Sequence, residues 1–394
     1  MKERKYFIDW VRVLAFSLLI LFHCAMPFVT VGWEVKNDQQ YDRLTSIVWW
    51  FHQWRLPLLF FVSGAGINFS LARRSVMRFA GERFVRLFIP LAFAMLFTIP
   101  LQVYFEWLQE NKIAMSYAEF YPSVWNFVPY PDGSLTWSHL WFVVYLFVFC
   151  LLLMPLFGLF KIKAMERFKQ WIAGKLAHPV AAACLFIPLM VYYFTLFLDH
   201  PEQLNLFDDW FIFTFSITLL FYGYMLSSSN KFWQTCERYR YHYLAIAAVC
   251  IAVLFYEFWW DMRFPTQKDW RLYVYGTLNS VHIWFLIMAI LGFARKHLNF
   301  SNRFLKYTTE AVYPFYILHQ TIIVATGYYI VQWHIPSAIK FLLLVICCFA
   351  SIGILYHFII KRFLLTRILY GLKPKETDKK IAAPASATPS LSFE

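Results

Sequence analysis

Apolar runs of about twenty residues recur along almost the whole chain, separated by short polar or basic stretches. They cover 6–28, 46–71, 84–107, 138–160, 179–198, 208–227, 242–260, 272–293, 311–333 and 337–360. At about 1.5 Å per residue, each run can cross a hydrocarbon core near 30 Å. Lipid offers the backbone no hydrogen bonds, so such a span closes its own as a helix. The pattern predicts an all-α integral membrane protein, a polytopic bundle of about ten transmembrane helices. Its basic start, Met1 to Lys5, imitates a signal peptide. The apolar run behind it exceeds the usual length of about 7–15 residues and lacks a small-residue cleavage site, so it is read as a retained helix.

Charge supports this picture. The N-terminus, every second connection after it and the C-terminal tail hold 27 Lys and Arg, whereas the opposite connections hold 7. Cytoplasmic loops carry the basic excess, which predicts that the chain sits in a lipid bilayer with both termini cytoplasmic. The net charge of +13 is thereby explained as topology, and no nucleic-acid partner is implied. Composition agrees: 60% apolar and 15% charged residues lie far from soluble averages of about 45–50% and 25%. The seven cysteines have neither metal-ligand nor disulfide spacing and read as small apolar filler, so no metal is expected. Residues 1–372 form the expected membrane domain, and 373–394, biased to Lys, Pro, Ala, Ser and Thr, a disordered cytoplasmic tail. The long outer connection, with Trp125, Tyr130 and Pro131, suits either a cap over the bundle or an interfacial aromatic belt.

Polar residues inside the spans change the picture from architecture to chemistry. Ionisable groups at membrane depth cost about 2.5–3.5 kcal/mol each on insertion scales and normally face a bundle interior or a wet cavity. The first span carries Arg12 and His23, which return to one helix face within about 20° and lie about 16 Å apart along the axis. Alternating helix directions put His23, His52, Arg55, His139 and Glu257 toward the outer half, with Ser63 and Gly64 deeper. His319 falls near mid-membrane, with Tyr316 as its i−3 neighbour. Plainer explanations compete. His52 and His139 sit near helix ends and could meet headgroups, and Arg55 could snorkel. Arg12 could simply pair with Asp9, and Ser63-Gly64 could be a small-residue helix contact. His23 has no such explanation, since Leu21-Phe22-His23-Cys24-Ala25 offers no neighbouring charge.

These residues resemble a known family. Asp9-Trp10-Val11-Arg12 followed by His23 is similar to the first-helix signature of the bacterial membrane acyltransferase 3 family. Arg55 with Phe60-Phe61-Val62-Ser63-Gly64 resembles its second-helix signature, and Arg83-Phe84-Val85-Arg86-Leu87-Phe88-Ile89-Pro90 its basic third-helix start. Ser138-His139-Leu140-Trp141-Phe142 and Phe315-Tyr316-Ile317-Leu318-His319 resemble later landmarks. Their joint order spans nearly the whole chain, and within the family it is most similar to the branch that succinylates periplasmic glucans.

The resemblance implies transfer of an acetyl or succinyl group from cytoplasmic acyl-CoA to a hydroxyl of a cell-envelope carbohydrate, with no permanently bound cofactor. His23 then acts as general base, because an imidazole with an unperturbed pKa near 6.5 suits deprotonation of a hydroxyl. Arg55, Ser63 and His139 are candidates for stabilising the oxyanion, and a covalent acyl-enzyme through His23 or Ser63 remains an alternative. Arg12, Arg83 and Arg86 are candidate donor-binding residues, although the positive-inside rule also accounts for Arg83 and Arg86. Asp9, His52, Glu257, Tyr316 and His319 are expected to line the cavity. Larger family members carry an extracytoplasmic hydrolase-like domain; here only a tail is expected, so relay falls to the bundle or to an envelope glycan-synthesis partner. Two rivals are a transporter of a small polar or anionic substrate, against which the lack of an internal repeat speaks, and a haem protein with paired histidine ligands.

Overall fold

The computed structural model describes residues 4–374, so most of the predicted tail lies outside the described residues. Among the described residues regular structure is helical, apart from one isolated bridge between Pro129 and Leu135. The main helices are α1 (Tyr6–Ala25), α2 (Asp42–Leu71), α3 (Val76–Gln109), α4 (Ser138–Leu152), α5 (Lys163–Leu176) and α6 (Pro179–Thr195). They continue as α7 (Trp210–Leu226), α8 (Asn230–Arg238), α9 (Arg240–Trp259), α10 (Trp270–His297), α11 (Arg303–Ile330) and α12 (Ser337–Ile360).

Every predicted span coincides with one of these helices. Five are by length and composition able to cross a membrane, namely α3, α9, α10, α12 and α1 with its following turn, or seven if two bent pairs count as single spans. α4 is shorter, while α2 and α11 carry the polar residues of the site. Starts are set locally. Asp269 accepts from the backbone N–H of Arg271 and Leu272 at the head of α10, and Asn302 from that of Leu305 at the head of α11.

α1 lies at the centre, packed against α2, α10, α11 and α12, and most of its surface is buried. α9 and α12 instead expose apolar side chains such as Val249, Leu342 and Ile354, as a lipid-facing helix would. The α2–α7 contact needs glycine on both sides. A Cβ at Gly64 would stand 1.8 Å from the carbonyl oxygen of Leu220, and one at Gly223 1.9 Å from that of Phe61.

The two ends of the bundle differ. α5 bends 93° from α6 and α8 107° from α7, so both lie across one end and carry Lys163, Arg167, Lys175, Lys231 and Arg238 there. α1 begins at the same end, since the Lys5 ammonium sits over the rings of Phe69 and Trp233. At the far end a loop over 29–41 closes the bundle. The Lys36 ammonium donates to the carbonyls of Met26, Val29 and Val31, and Gln109 at the end of α3 bonds both the N–H and the carbonyl of Lys36. Lys340 of α12 fixes the same loop through Asn37 Oδ1 at 2.7 Å. The long connection between α3 and α4 folds as short turns tied to α3 by Tyr104 Oη to Met115 O and by Tyr130 Oη to Glu106 Oε1, whereas Trp125 is exposed.

Candidate active site

Three helices bring histidines to one place. His23 of α1 and His319 of α11 are joined ring to ring, Nδ1 to Nε2, at 2.8 Å. The His139 ring of α4 stands edge-on to His319 with centroids 5.0 Å apart. The partners assign the protons. His319 Nδ1 faces the carbonyl of Tyr316 at 2.6 Å, and a carbonyl only accepts, so Nδ1 carries the hydrogen. Nε2 of a neutral His319 is then an acceptor, and His23 Nδ1 must donate to it. The remaining lone pair of His23 sits on Nε2. His139 follows the same logic: Nε2 donates to Ile317 O at 3.1 Å, leaving Nδ1 to accept from Gln102 Nε2 at 3.4 Å.

A polar network holds this arrangement. Tyr316 Oη donates to the carbonyl of His139 at 2.6 Å and ties α11 to α4. Gln102 of α3 donates to Thr321 Oγ1 at 2.6 Å and accepts from Ser138 Oγ at 3.0 Å, and Thr321 donates onward to Thr98 O at 3.2 Å. Each polar atom in this chain has a donor or acceptor role that its neighbour completes, which is what makes a buried network rigid.

Arg55 is 1% exposed, and its guanidinium lies 3.9 Å over the ring of Phe22, the residue before His23. Its Nε and Nη1 are enclosed and have no hydrogen-bond partner. A buried cation without an anion is costly, so this one is poised to receive negative charge. His52, one turn earlier, stacks on Phe22 and bonds Glu202 Oε2 at 3.0 Å. It lines a neighbouring cavity of about 310 Å³ with Trp49, Gln53, Trp141 and Glu202.

The basic candidates gather at the other end of α1. Asp9 accepts from Arg4 at 2.8 Å and Arg12 at 3.5 Å, so the predicted pairing of Arg12 with Asp9 is present. Arg12 and Arg86 each feel the repulsion of Arg83, which makes the three one cationic cluster. A widened π-turn over Phe84–Phe88 re-aims this stretch of α3, and Arg86 Nε bonds Gly371 O at 3.1 Å.

Two predicted residues stand apart. Glu257 is exposed at the end of α9, outside the buried cluster. Ser63 is half-buried without a side-chain hydrogen bond, about 12 Å along α2 from Arg55, while its neighbour Gly64 serves the α2–α7 contact. The sequence reading missed Gln102, Glu34, Gln320 and Thr321. The signal for two of them was present in His319-Gln320-Thr321, three consecutive polar residues in an apolar helix.

Comparison with known proteins places the chain in a family. The acyltransferase 3 family, described as "Acyltransferase domain", matches residues 5–357. Glucans biosynthesis protein C of Salmonella paratyphi B is 23% identical, with 96% of this chain and 98% of that protein aligned. The protein of the same name from Escherichia coli O139:H28 is 24% identical, over 97% and 98%. No solved structure matches the chain. With the family covering residues 5–357 of this helical bundle, the chain belongs to the acyltransferase 3 family and is a multi-pass membrane acyltransferase.

Proposed function

We propose that this protein moves an acetyl or succinyl group from cytoplasmic acyl-CoA to a hydroxyl of a cell-envelope carbohydrate across the inner membrane, with His23 as general base. The observation that carries the reading is the His23–His319 bond, which leaves His23 Nε2 as the free lone pair. The names of the aligned relatives point to a glucan acceptor.

The reaction balances on this chain's groups. His23 Nε2 takes the proton of the sugar hydroxyl as its oxygen attacks the thioester carbonyl carbon. Negative charge develops on the carbonyl oxygen, and the unpartnered Nε and Nη1 of Arg55 are the natural donors for it. Collapse breaks the C–S bond, and the imidazolium returns its proton to the CoA sulfur. The products are an acyl ester and free CoA-SH. Arg12, Arg83 and Arg86 would hold the donor's phosphates about 16 Å below His23, a gap the extended pantetheine arm of CoA can bridge.

The test is incubation of purified protein with labelled acetyl- and succinyl-CoA, with and without glucan oligosaccharides. Labelled ester on the sugar, stoichiometric with released CoA, is expected. Thioester consumption without any sugar ester would refute the carbohydrate reading.

A further inference from the structure

Outside the histidine relay, a second pair of enclosed polar atoms lacks partners. Oε2 of Glu34 and Oε1 of Gln320 are both buried and unpaired. Their residues are joined to each other, Gln320 Nε2 donating to Glu34 Oε1, and the same Nε2 lies 3.4 Å from Ser138 Oγ. Gln320 directly follows His319, and Ser138 directly precedes His139. Gln320 Oε1 only accepts, as does Glu34 Oε2 when the carboxyl is ionised, and enclosed acceptors are normally matched by donors. Beside them the Trp33 indole lies parallel to the His23 imidazole within 10°, with centroids 6.2 Å apart.

These groups sit on a fixed frame. Trp33 and Glu34 belong to the loop that Lys36, Gln109 and Lys340 pin to α3 and α12. A site that must orient a hydroxyl against His23 Nε2 needs this rigidity, because a misplacement of about 1 Å can cost about a hundredfold in rate.

The missing partners have a definite chemistry. Two acceptor oxygens, one on a carboxyl and one on an amide, match two neighbouring hydroxyl donors. An indole face beside them matches a patch of C–H groups. A sugar ring presents both together, whereas water offers no apolar face and a simple alcohol only one hydroxyl.

We propose that Trp33, Glu34 and Gln320 form the subsite that holds a carbohydrate acceptor next to His23, two sugar hydroxyls donating to Glu34 Oε2 and Gln320 Oε1 while the ring's C–H face lies on Trp33. The assignment rests on the carbohydrate reading above and adds to it the residues that select the acceptor. Burial raises the Glu34 carboxyl to about 7, so donated sugar hydroxyls would favour the ionised form that burial alone disfavours.

The experiment uses full-length purified protein, labelled acetyl-CoA and a short soluble β-linked glucose oligosaccharide. It reads the oligosaccharide KM, kcat and retention of labelled donor. Glu34→Gln and Trp33→Ala are each expected to raise the oligosaccharide KM about tenfold or more, with donor retention within about twofold of wild type, and Glu34→Asp to recover part of the loss. Retained donor binding shows that the variants are folded. An oligosaccharide KM unchanged in both Glu34→Gln and Trp33→Ala, while wild type acylates the sugar, overturns this subsite alone. Wild type that binds donor but acylates no sugar overturns the carbohydrate reading and this inference with it.

Discussion

A histidine whose Nδ1–H is held by a neighbour can act as a base only through Nε2, and His319 imposes that state on His23. His319 is a positioning residue in this scheme. His319→Ala should lower kcat about tenfold to a hundredfold and alter the pH–rate profile, with partial rescue by His319→Gln, which can still accept from His23 Nδ1. Arg55 acts later, when charge develops. Arg55→Ala should reduce kcat about a hundredfold with little change in donor KM, and Arg55→Lys should not restore it, since an ammonium lacks the guanidinium fork. Glu34 adds a pH dependence outside the spans. Burial, aided by the nearby Glu106 charge, lifts its carboxyl to about 7, against an unfolded value near 4.3. A raised folded value means stability present in acid and lost as pH rises through about 7. Sugar hydroxyls compensate the ionised form, so the acceptor KM should fall as pH rises through that range and become flat there in Glu34→Gln. The other titratable groups to control for are Glu106, Tyr130, His23 and His319.

At the scale of elements, the site depends on how closely α2 approaches α7. Gly64→Ala should place a methyl group against the Leu220 carbonyl and cost about 3 kcal/mol or more, read as a lowered yield of folded protein in membranes. The elements themselves were legible in the sequence, because a twenty-residue apolar run has one structural solution in lipid. So was His23, whose cost at membrane depth demands a reason. The contact between His23 and His319 was not legible. They are 296 positions apart, and the register of α1 against α11 follows from side-chain packing that hydropathy does not encode. Glu34 was overlooked for another reason: it looks like any loop carboxyl until Lys36 and Gln109 fold that loop onto the bundle. Glu257 shows the reverse, since depth alone put it level with the cluster while its helix face points outward.

Across the whole molecule the two ends are chemically distinct. One gathers Arg12, Arg83 and Arg86 with the bent basic helices α5 and α8; the other holds the pinned loop and the carboxyl–amide pair. Between them runs α1, whose length separates the cationic cluster from His23. In the proposed scheme a donor enters at the first end and an acceptor at the second. Replacing both Arg83 and Arg86 with Ala should raise acyl-CoA KM about tenfold, less at high salt, and leave acceptor KM unchanged. The central claim is that transfer depends on the His23 imidazole. It is tested most directly by single-turnover acyl transfer in proteoliposomes containing either wild type or His23→Ala, with membrane insertion verified in both. The account predicts a loss of at least about a hundredfold in the variant with donor binding preserved; transfer by His23→Ala at near wild-type rate would contradict it.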